Sequence, residues 1–141
     1  MNFERLLEQD KAGKVEKKEF DDSLAERDLS SAEHSLESGD YDWALSIAYN
    51  AVLQAGRALM FNLGYRPKGK DQHRTVFEFL EICSIDQELT DYFNSIRKIR
   101  HAAVYDTADS VSGQTAKETI EQARSFVQKI RTFVQKIRTE K

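Results

Sequence analysis

Apolar residues recur along this chain at spacings of three and four, the period of helices that turn one face inward. Asn2 can cap a short opening helix, FERLLEQDKA, predicted to end at Gly13, and KVEKKEF at 14–20 follows as a charged connector of weak periodicity. A second helix is predicted from Asp21–Asp22, whose carboxylates suit a helix N-terminus. Its apolar stripe is Ala25, Leu29, Ala32 and Leu36, and Gly39 takes the residue beyond its end. The third helix, YDWALSIAYNAVLQAGRALMFNL, lies between Asp40 as cap and Gly64 as stop. One stripe is Ala44, Ala48, Ala51, Ala55 and Ala58, and another side holds Leu45, Tyr49, Val52, Gly56, Leu59 and Leu63. A helix apolar on most of its circumference is buried by neighbours, and the alanines let one of them approach closely.

The second half of the chain continues the pattern. YRPKGKDQ at 65–72 reads as a loop, because Pro67 and Gly69 both break helices. A fourth helix, HRTVFEFLEIC, packs Val76, Phe77, Leu80 and Cys83. Ser84 or Asp86 caps a fifth, whose core stripe is Leu89, Tyr92, Ile96, Ile99 and Ala103. YDTADSVSG makes a second loop, and a sixth helix runs from about Gln114 to near the end. That helix repeats FVQKIRT at 126–132 and 133–139, which sets Phe126, Ile130, Phe133 and Ile137 on one heptad seam. Two heptads fall short of a coiled-coil signature. The seam reads as a helix covering the bundle, with a dimerisation arm as the alternative. The predicted fold is all-α: an antiparallel bundle of four to six helices. Residues 1–20 form an N-terminal helix and connector, and residues 21–141 the bundle with its extended C-terminal helix.

Composition narrows the class further. The 141 residues are 40% hydrophobic and 32% charged, with one proline and six glycines, a globular balance with many solvated helix faces. The single cysteine, Cys83, excludes an internal disulfide framework and a cysteine zinc cluster, and its apolar neighbours assign it as a buried thiol. His34 and His73 have no second ligand at metal spacing, and Gly69 lacks the surroundings of a phosphate-binding P-loop, so neither a metal nor a cofactor is expected. No apolar run approaches the roughly 18 residues of a membrane span, and the opening MNFERLLEQDKAGK has no leader-like apolar core. A cytoplasmic protein without a membrane partner is the expectation.

Charge distribution points to a ligand. The net charge is −3, yet four bases and one acid crowd residues 66–74, and RKIRH at 97–101 adds three bases and no acid. Compact basic patches in an acidic protein suit a local anionic ligand better than duplex coating. Loop residues Arg66, Lys68, Lys70 and Arg74 are candidates for phosphate contact, with a solvated loop as the plain alternative. On the fifth helix Asn94, Arg97, His101 and Tyr105 follow at +3, +4, +4 and form one ridge beside the buried face, with Arg100 at its boundary. A guanidinium offers a planar donor fork for phosphate. An imidazole near neutral pKa moves protons, while an amide and a phenol can orient a ribose or base. RNA carries its own nucleophile, the 2′-hydroxyl, so Arg97 and His101 could support metal-free cleavage, with Arg97 stabilising the phosphorane. Basic residues near a helix C-terminus are also favoured by the helix dipole without any function. Trp43 and Phe77 are assigned to the core rather than to base stacking.

ERDLSSAEHSLESGDYDWALSIAYNAVLQAGRALM and RKIRHAAVYD together resemble the HEPN superfamily, the higher eukaryote and prokaryote nucleotide-binding domains, across about residues 21–131. Glu26, Arg27, Asp28, Gly39, Tyr41, Ala44, Ala48, Tyr49, Arg57 and Leu59 fall on the family's pattern, and His73 resembles a histidine common at the start of its next helix. The resemblance implies a helical bundle that forms a homodimer, with motif helices lining a cleft at the interface. It also implies RNA or a nucleotide as ligand and a minimal nucleotidyltransferase (MNT) antitoxin as partner. Cleaving members carry an arginine, four to six residues, then a histidine. After Arg97 those positions hold Ala102, Ala103 and Val104, and His101 stands one place short. Arg97 and Tyr105 correspond to the motif's arginine and trailing tyrosine. In some pairs the partner transfers AMP to that tyrosine, which makes Tyr105 the acceptor by resemblance. Three functions are thereby set side by side: an RNA- or nucleotide-binding toxin-like module, an active metal-independent RNase, and a non-catalytic helical adaptor.

Overall fold

Helix ends fall where the backbone can turn at low cost. A computed structural model describes residues 1–101 and 111–139. In it α1 spans Glu4–Glu8, α2 Ser23–Glu37, α3 Tyr41–Leu63, α4 Gln72–Cys83, α5 Gln87–His101 and α6 Gly113–Thr139. Gly64 closes α3 in the left-handed region at φ 91°, where a Cβ would be strained. The Asn2 carboxamide accepts the Glu4 N–H at 2.9 Å, and Asp21 does the same for Ser23. Asp86, rather than Ser84, caps α5 by accepting the Leu89 N–H at 2.9 Å. Asp40 holds the N-cap position of α3 without a side-chain bond there.

Two strands are additions to the expected architecture. β1 (Ala12–Lys14) and β2 (Tyr65–Pro67) pair antiparallel, Gly13 opposite Arg66. The opening helix therefore ends at Glu8, short of the expected Gly13, and the chain turns through Asp10 at positive φ before entering the ribbon. The connector beyond it also has a structural task. The N–H groups of Val15 and Lys18 bond the carbonyls of Gly64 and Phe61, and Asn62 donates to the Lys18 carbonyl. These segments satisfy the terminal carbonyls of α3, which explains why they lack helical periodicity. Phe3 stacks on Phe79 with ring centroids 4.2 Å apart and tilts against Tyr65, fixing the N-terminal turn to the bundle.

α3 is the central helix, packed on α2 and α6 and flanked by α4 and α5. Leu45, Tyr49, Leu53, Leu59 and Met60 from it meet Phe77, Phe79, Leu80, Phe93, Ile120 and Phe126, all fully buried. Each such side chain contributes roughly 1.5–3 kcal/mol over its exposed state. Gly56 lets α4 come close: a Cβ there would lie 2.5 Å from a Val76 methyl. On α6, Phe126 and Ile130 of the first FVQKIRT copy are buried, while Phe133 and Ile137 of the second are only partly covered. Arg131 ties α6 to Asp22 and Glu26 at the start of α2.

Two core assignments are corrected. Trp43 is 61% exposed and Ile99 is 41% exposed. Both keep a large open surface among the described residues, so neither belongs to the core. Phe77 and Cys83 are buried as expected. Ala103 lies outside the described residues.

Candidate nucleic-acid interface

The last turns of α5 hold Arg97, Lys98, Arg100 and His101 beside the segment that opens α4. With Asp71, Gln72 and His73 these residues line an open cleft of about 700 Å³. Arg100 is the anchored member. Its Nε donates to Ser46 Oγ at 2.9 Å, and its guanidinium lies 5.3 Å from the centre of the Tyr49 ring. Ser46 and Tyr49 sit one turn apart on α3, so the central helix sets the guanidinium against both a hydroxyl and a π-face. Arg97 is partly exposed, and its Nη1 lies 4.0 Å from a carboxylate oxygen of the mostly exposed Asp71. An ion pair so long and so wetted contributes little, about 0–1 kcal/mol, and leaves the fork open to another anion.

Tyr49 is fully buried, and its hydroxyl meets His73 Nδ1 at 3.4 Å. Burial pushes the Tyr49 phenol up to about 12, against the pull of Arg97 and Arg100. His73 is shifted the other way. Burial lowers its imidazole below the ordinary histidine value, Arg100, Arg57 and Arg97 lower it further, and Asp71 partly opposes them. A buried cationic imidazole beside guanidinium groups loses hydration and meets repulsion, so the neutral ring wins at neutral pH. Among the described residues three cations, Arg97, Lys98 and Arg100, thus face one carboxylate in this cleft.

The remaining candidates from the sequence are distributed differently. Asn94 and Arg74 line a neighbouring cleft of about 470 Å³ with Arg5, Phe77, Glu78, Glu81 and Arg97. There Glu78 takes Arg74 at 3.5 Å and Lys11 at 3.1 Å, so one carboxylate already holds two cations. Lys68 turns to Asp10 at the N-terminal turn. Arg66 lies on β2 and Lys70 in the exposed connector beyond it. Arg97 is the residue common to both clefts. Tyr105 lies outside the described residues. Among the described residues no three histidine, cysteine or acidic side chains gather as a metal-binding group. No helix of those residues is long and apolar enough to cross a membrane.

The sequence pattern joined neither His73 nor Tyr49 and Ser46 to the Arg97 ridge, though it placed Lys98 in the same RKIRH patch. Spacing on one helix cannot reveal residues delivered by others. One signal was legible: Ser46 and Tyr49 put polar atoms one turn apart on a helix face that is otherwise apolar.

The fold is a helical bundle presenting a cationic, histidine-bearing cleft, and the family follows from sequence comparison. The model of the HEPN domain matches residues 23–137, and the chain belongs to that family. A relative from Methanocaldococcus jannaschii, named "Putative toxin MJ0142", is 27% identical over 104 residues, which cover 72% of this chain and 71% of that protein.

Proposed function

We propose that this chain is a HEPN-type domain that binds RNA or a nucleotide by its phosphate groups, as the toxin-like half of a HEPN/MNT pair. The observation that carries this reading is the cleft in which Arg97, Lys98 and Arg100 face the imidazoles of His73 and His101. Guanidinium groups supply bidentate donors to phosphate oxygens, and fixed cations in a concave site concentrate an anionic ligand. The relative's name and the family membership support the toxin-like reading. The domain works as a homodimer in which two such clefts approach one another, with Tyr105 as the residue an MNT partner would modify with AMP.

Fluorescence anisotropy with a single-stranded RNA oligonucleotide tests the binding. Arg97→Ala should weaken it and reduce the dependence of log K on log salt by about one unit, as expected for one lost phosphate contact. Unchanged affinity and slope would remove the proposal. Sedimentation equilibrium tests the dimer, and a monomer at micromolar concentration would rule it out. The presence of two imidazoles beside arginines also favours a second reading, metal-independent cleavage through Arg97 and His101. Incubation with total RNA in EDTA, beside Arg97→Ala and His101→Ala, decides it: identical RNA patterns eliminate cleavage.

A further inference from the structure

We infer that His73 is a neutral hydrogen-bond donor of the phosphate cleft, its tautomer fixed by the buried hydroxyl of Tyr49, so that it presents Nε2–H to an oxygen of the ligand. This rests on the phosphate-binding reading above and adds a residue and a protonation state to it.

Tyr49 is fully buried, so its O–H cannot turn to solvent, and among the described residues His73 Nδ1 is its polar partner. A phenol in that position must donate, because a buried O–H without an acceptor forfeits a hydrogen bond. Donation requires a lone pair on Nδ1. The neutral ring then carries its single proton on Nε2. Protonating Nδ1 would make the phenol oxygen the acceptor and leave its buried O–H without one, so the imidazolium is opposed by geometry as well as charge. The groups facing the ring act in the same sense. Tyr49 and Arg57 approach from α3, Arg97 and Arg100 from α5, and of the charged groups among the described residues only Asp71, just before α4, favours a proton.

His73 is half-buried and lines the cleft with Arg97 and Arg100. A neutral N–H beside two guanidinium groups complements an oxygen that already bears charge. It adds direction where the arginines add attraction, in the way fixed donors stabilise phosphoryl or oxyanion charge elsewhere. At neutral pH the ring is therefore uncharged and serves the cleft as a donor.

Nitrogen-15 spectroscopy of the histidine rings in the full chain, from pH 5 to 8, reads the tautomer directly. The expected result is an Nε2–H tautomer for His73 with no titration midpoint at or above 6.5, and in Tyr49→Phe a ring that gains Nδ1–H character. Inorganic phosphate at pH 7 should move the His73 Nε2 resonance without changing the tautomer. Single-stranded RNA and AMP, added in separate arms, tell a chain phosphodiester from a nucleotide phosphate. His73→Ala should weaken phosphate-ester binding roughly tenfold, the worth of a bond to a charged acceptor, and His73→Gln, which keeps a donor, should recover part of it. An Nδ1–H tautomer, a midpoint at or above 6.5, or RNA binding that leaves the His73 resonance still would each overturn the inference. A His73 response to phosphate without RNA binding would uphold it and remove the RNA reading instead.

Discussion

Replacing Gly56 by alanine tests how closely α3 and α4 must approach. The new Cβ would stand 2.5 Å from Val76 Cγ1 and 3.3 Å from Leu80 Cδ1. Apolar carbons rest about 3.5–4.0 Å apart, so α4 or Val76 must move by roughly 1 Å. Val76 is β-branched and stiff at χ1, which makes a shift of the whole helix the easier response. Two effects compete. Alanine in a helix interior gains about 1 kcal/mol over glycine. Overpacking a dense core costs about 1–3 kcal/mol. The clash should win by about 1 kcal/mol, seen as a lower urea midpoint and a melting temperature down by about 3 °C. Val76→Ala alone opens a cavity and costs about 1–2 kcal/mol. In the double variant the methyl of residue 56 fills that space, so the cycle should show a favourable coupling of about 1 kcal/mol. His73 is one turn from Val76 on α4, so Gly56→Ala should also weaken RNA binding even where the protein remains folded. A Gly56→Ala protein as stable as the parent, or additive losses in the cycle, would refute the argument.

Three further outcomes follow from packing and charge. Phe126→Ala should cost about 3–5 kcal/mol, whereas Phe133→Ala, the same heptad position one repeat later but only partly covered, should cost less than half as much by urea unfolding. Asp86→Ala should cost about 1 kcal/mol through the lost α5 cap. Its carboxyl is held below the ordinary carboxylate range by Lys129 and then by the Leu89 N–H, so this stability is present above about 3.8 and lost as pH falls through the lower folded value; the gap between wild type and variant should narrow as the pH is taken below 3.8. Cys83 is buried and its thiol is pushed up to about 12, so a disulfide reagent at pH 8 should label it only when urea unfolds the chain, and rapid native labelling would contradict its burial.

The helices were legible where a local device sets both ends. Asp40 and Gly64 bracket α3 as read, because a left-handed glycine is a chemical stop that needs no tertiary partner. The ribbon was not legible. Its strands are three residues each, AGK and YRP, and glycine and proline argue against strand on propensity alone. They pair because the N-terminal turn is delivered to the end of α3 by contacts far apart in sequence. Ile99 was read as core from period and Trp43 from its residue type, yet neither says that a neighbour covers the side chain. The candidate site divides in the same way. Arg97, Arg100 and His101 lie on one helix and were found together, whereas His73 and Tyr49 come from α4 and α3 and meet only in three dimensions.

The pairing of Ala12–Lys14 with Tyr65–Pro67 carries a practical corollary. An expression product trimmed to start at Asp21, where the charged stretch ends, would strip Pro67 and Phe79 of their cover and loosen the hairpin of chain that leads into Asp71 and His73. Loss of ligand affinity in such a shortened protein would then report slack in the connector together with the loss of Arg5 from beside Arg97.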